Sequence, residues 1–172
     1  MENSENNLYE LVKNFDVAML TTHQSNEMHA RPMVIARLDK GMDAYLITDS
    51  DSVKVHEIGI NSQALLTFQS SRQFASVKGE ITVEFDRNLL ETMWKETWKV
   101  WFPVGKSDPK IAILKFTAHE GEYWNNAGME GLKHVFNAAK SYISGERPGS
   151  DSAQPPSVTI VVRSLEEKNS IH

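Results

Sequence analysis

The chain has 172 residues, a formal net charge of -5, a sequence pI near 5.7 and no cysteine. That length suits one domain able to bury about two-thirds of its unfolded surface. The acidic balance lacks the basic footprint of a nucleic-acid binder, disulfides and thiolate metal sites are excluded, and no apolar run reaches membrane-spanning length. The polar start from Met1 to Asn7 is unlike a secretory signal, so a cytoplasmic protein without nucleic-acid or membrane partners is expected.

Leu8, Leu11, Val12 and Phe15 recur at helical spacing, which predicts an amphipathic helix from about Leu8 to Asn14. Val17 to Thr22 reads as a strand, residues Gln24 to Glu27 as a hairpin turn, and His29 to Leu38 as a second strand. Pro32 lacks a backbone donor and belongs at an edge, a bulge or a ligand-facing position. A turn at Asp39-Lys40-Gly41 leads into a third strand, Asp43 to Thr48. Ser50, Asp51 and Ser52 are capping types, and Val53, Val55, His56 and Ile58 can follow on a short helix. Ala64 to Gln69 is an apolar strand. A turn at Ser70 to Gln73 precedes Ala75, Val77, Ile81, Val83 and Phe85, which alternate across Gly79.

Asp86 can cap a helix from Arg87 to about Lys99, broken by Phe102-Pro103-Val104-Gly105. Ile111 to Phe116 and Gly121 to Trp124 read as two further strands. Leu132, Val135, Phe136, Ala139 and Tyr142 mark a last helix. Gly149 to Ser157 is linker-like, Ser157 to Val162 a candidate final strand, and Glu166 to His172 a loose tail. Strands at hairpin spacing with peripheral helices predict a small, mainly β antiparallel barrel.

The chemistry concentrates between Arg31 and Lys54. A helix N-terminus exposes backbone N–H groups and a partial positive charge, Thr48 and Ser52 add hydroxyls, and Lys54 and Arg31 add charge. This set fits a phosphate, although an ordinary strand-turn-helix with solvated cations is the plain alternative. Trp94, Trp98 and Trp101 would share one side of a continuous helix, as a core or dimer seam or as a wall for a planar ligand. Gln73 is either an exposed turn residue or an amide for the edge of a heterocycle. The six histidines are scattered, and no HExxH, GxSxG, Walker or GxGxxG pattern occurs, so no metal ligands are assigned.

Taken in order, Arg31-Pro32-Met33, Thr48 with Ser52 and Lys54, Val77-Lys78-Gly79-Glu80, Trp101 to Gly105 with Asp108-Pro109, and more weakly Glu122-Tyr123-Trp124 resemble a known family. It is the FMN-binding split-barrel superfamily of the pyridoxamine 5′-phosphate oxidases, and more closely its general stress protein 26 branch. The resemblance runs from about Leu8 to Tyr142 and implies a Greek-key-like split β-barrel that forms a homodimer with FMN sites in the interface. It implies that Arg31, Ser52 and Lys54 hold the FMN phosphate and Thr48 adds a hydroxyl. Backbone near Pro32, Met33 and Ile47 would line the flavin ring, Gln73 would contact it, and Trp101 and Phe102 would come from the partner or close the pocket. Residues 1–145 would form the flavin-binding domain, and 146–172 a linker, last strand and tail.

The chain also departs from the oxidases. Arg87 is the only arginine between Gln73 and Ser144, and the matching stretch after Trp124, Asn125 to His134, offers only Lys133 and His134 to a substrate phosphate. Pyridoxamine 5′-phosphate oxidation is therefore not expected. The expectation is an FMN-binding general-stress-type protein, either a flavin-dependent oxidoreductase exchanging electrons with a small molecule or a non-catalytic flavin-binding or stress-sensing module. A barrel holding a deazaflavin or haem is the remaining alternative. No residue is assigned as acid, base or nucleophile.

Overall fold

Alternating inward apolar positions make the barrel wall. In the computed structural model, which describes residues 2–71, 73–125 and 158–161, helix α1 (Glu2–Val12) precedes strands β1 (Val17–Gln24), β2 (Glu27–Leu38) and β3 (Ala44–Asp49). Helix α2 (Val53–Ile60) then leads into β4 (Gln63–Gln69) and β5 (Gln73–Glu84). Helix α3 (Arg87–Met93), a 3₁₀ turn (Glu96–Val100), β6 (Ile111–Asn125) and β7 (Val158–Val161) complete the described chain. All strand pairs are antiparallel, in the order β3-β2-β1-β4-β5-β6-β7. β3 also pairs with β6, so the first six strands close on themselves. Three consecutive strands with β4 returning beside β1 make the Greek-key arrangement expected from the sequence.

Leu20, Leu46, Leu66, Phe68, Val77 and Phe116 fill the barrel, and Leu8 and Val12 of α1 join the same core. A second cluster lies outside the wall, where Leu90 and Met93 of α3 cover Tyr45 of β3 and Ile111 and Ile113 of β6. The barrel is not sealed along its whole length. Residues 27–34 of β2 pair with β1, whereas β3 joins β2 only from Ile35 to Leu38. Pro32 falls in this stretch, where its missing donor disturbs no β2–β3 ladder.

Several expectations are corrected. α1 begins six residues earlier than the apolar periodicity shows, because its first turns are polar. Gln73 belongs to β5 rather than to the turn. The two strand segments across Gly79 are one strand, bent by a register shift between Lys78 and Gly79. At Gly79 a Cβ would stand 2.1 Å from the Thr117 carbonyl oxygen and 2.7 Å from the Phe116 ring, so glycine is what lets β6 approach there. Ile111 to Trp124 is likewise one strand, because β5 spans its full length.

The expected helix from Arg87 to Lys99 ends at Met93, since Trp94 is extended (φ -59°, ψ 132°) and a 3₁₀ turn follows. Thr92, Trp94, Thr97, Trp98 and Val100 are all weak helix formers, and burying the Trp98 ring outweighs one more turn. The aromatic row is broken with it. Trp94 and Trp98 meet edge to face at 5.7 Å, Trp98 is buried within its own chain, and Trp101 stays 61% exposed. The expected helix around Leu132 to Tyr142, the linker and the tail lie outside the described residues.

Candidate functional site

Strand alternation decides what faces the open stretch of β2. Leu20 pairs with Arg31 and Thr22 with His29, which puts both β2 side chains on the inward face shared by the buried Leu20 and Thr22. On β3, Ala44, Leu46 and Thr48 are buried in alternation, so Thr48 faces inward too. α2 packs against β1 and delivers Glu57 and Lys54 from one side, three residues apart on neighbouring turns.

Glu57 is fully buried, and both its oxygens are engaged. Its Oε2 accepts from Thr22 Oγ1 at 2.5 Å and Arg31 Nη2 at 2.8 Å, and its Oε1 meets His29 Nδ1 at 2.5 Å. A carboxylate only accepts, so His29 donates through Nδ1. Arg31 Nη1 donates to Thr22 Oγ1, which joins β1, β2 and α2 in one network. Burial alone would raise the Glu57 pKa, but bonds from Thr22, His29 and Arg31 and the charge of Arg31 together draw it below the ordinary glutamate value of 4.5. Glu57 therefore stabilises the fold at neutral pH, and this contribution disappears as the pH falls through its lowered pKa.

Next to this network lies a cluster of donors. Lys54 Nζ donates to Thr48 Oγ1 at 2.9 Å, and Thr48 and Ser52 share a hydroxyl bond at 3.3 Å. Ser52 is the N-cap of α2 by backbone conformation (φ -72°, ψ 148°), but its side chain makes no capping bond. The first turn of α2 therefore keeps the character of an anion site. The loop before it is fastened: Asp51 N–H donates to Asp49 Oδ1, Ser50 N–H to the Lys110 carbonyl, and Lys110 Nζ pairs with Asp51 at 2.7 Å. Burial pushes the Lys54 pKa down, and the nearby Arg31 charge pushes the same way against Asp49 and Glu57. Two cations thus converge on one partly buried place with hydroxyls beside them.

Of the residues singled out in the sequence, Arg31, Thr48, Ser52 and Lys54 gather here. Pro32 is exposed on the outer face of β2, and Met33 is buried in the core. Ile47 points to the outside of β3, where it and Phe102 pack against the same cluster under α3. Trp101 adjoins Phe102 but is exposed. Gln73 opens β5, its N–H donating to Ser70 Oγ at 3.1 Å. Two strands separate β5 from β2 either way round the barrel, so Gln73 lies on a different sector from Arg31. Arg87 donates to the carbonyls of Asp108 and Pro109, while Lys133 and His134 lie outside the described residues.

Sequence reasoning missed Glu57, Thr22 and the inward role of His29. A signal was present: Glu57 is the only carboxylate between Asp51 and Glu80, and it sits among apolar helix residues opposite a strand with inward Arg and His. A separate cleft of about 270 Å³ on the outer surface is lined by Thr21, His23, Met28, Leu65, Lys78 and His119, and by none of the gathered residues. Among the described residues no group of three His, Asp or Glu side chains can hold a metal, and no helix is long and apolar enough to cross a membrane.

Residues 3–149 match the protein-family model described as pyridoxamine 5′-phosphate oxidase like. No curated protein matches the chain in sequence. Among solved structures, it is similar to a Clostridium acetobutylicum protein related to general stress protein 26 of B. subtilis, with 24% identity, 73% of this chain and 90% of that chain covered, and a TM-score of 0.65. General stress protein 26 from Bacillus anthracis gives 20% identity, 70% and 93% coverage, and a TM-score of 0.64. The general stress FMN/FAD binding protein from Xanthomonas citri gives 23% identity, 74% and 92% coverage, and a TM-score of 0.65. At these identities the likeness establishes the shared fold.

Burial is the largest influence on Lys54 and opposes its charge. Lys54→Met is therefore expected to raise the thermal midpoint of the ligand-free protein by about 2–4 °C, the shift that roughly 1 kcal/mol produces at this chain length. A midpoint in calorimetry that is unchanged or lower would show that Lys54 is a structural residue.

Proposed function

The chain belongs to the pyridoxamine 5′-phosphate oxidase-like family, and we propose that it is an FMN-binding protein of the general stress protein 26 type. The observation that carries this reading is the set Lys54 Nζ, Thr48 Oγ1, Ser52 Oγ and the uncapped start of α2, with Arg31 adjoining. A phosphate monoester takes several donors at once, and charged donors give the shortest and strongest of these bonds. The general stress neighbour from Xanthomonas citri, described as FMN/FAD binding, supports a flavin as the bearer of that phosphate. The residues that would line the ring are the backbone at Pro32, Met33 and Ile47, with Gln73, Trp101 and Phe102 around its edge.

When bound, flavin supplies hydride and single-electron chemistry, to be exchanged with a small-molecule donor or acceptor. This chain's own residues bind and orient it. Thr22, His29, Arg31 and Glu57 are bonded to one another, which favours a binding and orienting role for the site over proton transfer by its side chains.

The position of Gln73 on another sector supports a second part of the reading, that ring contacts come from two copies in a two-fold dimer. The outer face of β1 and β2 suits the contact: Val17, Met19 and Met28 are exposed there beside Ala30 and Pro32. This replaces the tryptophan row as the apolar surface, because Trp98 is consumed by its own core.

Two measurements test these readings. Lys54→Ala is expected to weaken FMN binding about tenfold or more in fluorescence-quenching titrations, with a much smaller loss for riboflavin, which carries no phosphate. Equal losses for the two ligands would remove the phosphate assignment. Light scattering on the FMN-loaded protein at micromolar concentration should return twice the chain mass, and a monomer mass with FMN still bound would defeat the shared site.

A further inference from the structure

Arg31 has a guanidinium tethered by both terminal nitrogens, Nη1 to Thr22 Oγ1 and Nη2 to Glu57 Oε2. Its side chain is only 20% exposed, and Glu57 is not exposed at all. The remaining guanidinium donors are free in direction only as far as this double tether allows. We propose that Glu57 is a positioning residue for anion recognition: it pins Arg31 beside Lys54 and offsets the repulsion between the two cations, so that both stand ready for the phosphate of a flavin nucleotide. The inference rests on the phosphate-site reading above.

The opposite effect has to be weighed, because a carboxylate close to an anion site repels the anion. Here the carboxylate does not stand alone, since Arg31 and His29 already share its charge. Its removal would leave a partly buried guanidinium without its bonded carboxylate beside the Lys54 ammonium. A charge in that position moves to water. β3 leaves the Arg31 stretch of β2 open among the described residues, so the side chain has a route outward. The site would lose a cation rather than gain one. His29 is bonded to Glu57 but is half-exposed and bears on Glu27 at 3.7 Å, so it steadies the carboxylate from the solvent side.

The test is the ratio of FMN to riboflavin affinity, which a loss of general stability does not move. It is measured by fluorescence quenching on the full chain and on Glu57→Gln, Arg31→Ala, the double variant and Lys54→Ala. Glu57→Gln is expected to lower the ratio about tenfold, the factor that follows from losing one charge-assisted bond. The double variant should fall no further than Arg31→Ala alone, because Glu57 acts only through Arg31. A ratio unchanged or raised in Glu57→Gln, or an effect that adds to that of Arg31→Ala, overturns the proposal. A ratio lowered by Lys54→Ala but not by Glu57→Gln overturns this inference alone, whereas a ratio that Lys54→Ala leaves unchanged overturns the phosphate reading and this inference with it. If Glu57→Gln does not fold, Glu57→Asp keeps the charge but withdraws the carboxylate by one methylene from Arg31 Nη2: a fall in the ratio supports the proposal, and an unchanged ratio overturns it.

Discussion

A carboxylate cannot stay ionised away from water unless its oxygens are bonded, and the region around the open stretch of β2 is organised by that requirement. Glu57 draws a strand hydroxyl, a histidine and an arginine from two strands onto one helix. Removing one member of such a buried pair leaves the other charge uncompensated, at a cost of roughly 3–5 kcal/mol. That magnitude is a large share of the 5–15 kcal/mol by which folded domains are ordinarily stable. The network therefore fixes how α2 sits on the barrel, and the orientation of α2 decides where Lys54 and the first-turn N–H groups point.

The barrel contributes the second constraint. Closure through β3 and β6 makes one wall rigid, while the limited pairing of β2 with β3 leaves another part of the wall to side chains. Polar side chains concentrate beside the stretch of β2 that β3 does not pair, where Thr22, His29, Arg31 and Glu57 bond one another and Thr48, Ser52 and Lys54 meet. The rigidity of this donor cluster comes from neighbouring elements, with the Asp49–Asp51 turn held to the start of β6 through Ser50 and Lys110.

Much of this was legible in the residues. Period-two alternation found the strands, and the meeting of Thr48, Ser52 and Lys54 was legible because capping types, hydroxyls and a cation fell together. The fold family was legible from the order of short motifs, none of which is specific alone. What escaped the sequence depended on contacts distant along the chain. Glu57 meets Thr22 and His29 across separations of 35 and 28 residues, and no local pattern announces such a meeting. The helix after Arg87 was overextended because its apolar spacing stays helical through Trp94 and Trp98, while the backbone is already extended at Trp94 and a 3₁₀ turn follows. The separate reading of Ile111–Phe116 and Gly121–Trp124 failed for a related reason: glycine at 121 looks like an interruption, yet it sits opposite Val77 where the Leu8 side chain of α1 packs close, 2.4 Å from where a Cβ would be.

The central claim is that the donor cluster at α2 exists to hold a flavin nucleotide by its phosphate. The most direct measurement is the absorption spectrum of freshly purified protein together with the mass of the ligand released on denaturation, repeated after incubation with FMN and removal of the excess. The account predicts the paired visible bands of an oxidised flavin and a released mass equal to FMN. An intense Soret band, a released deazaflavin, or a protein that retains no flavin after incubation would contradict it.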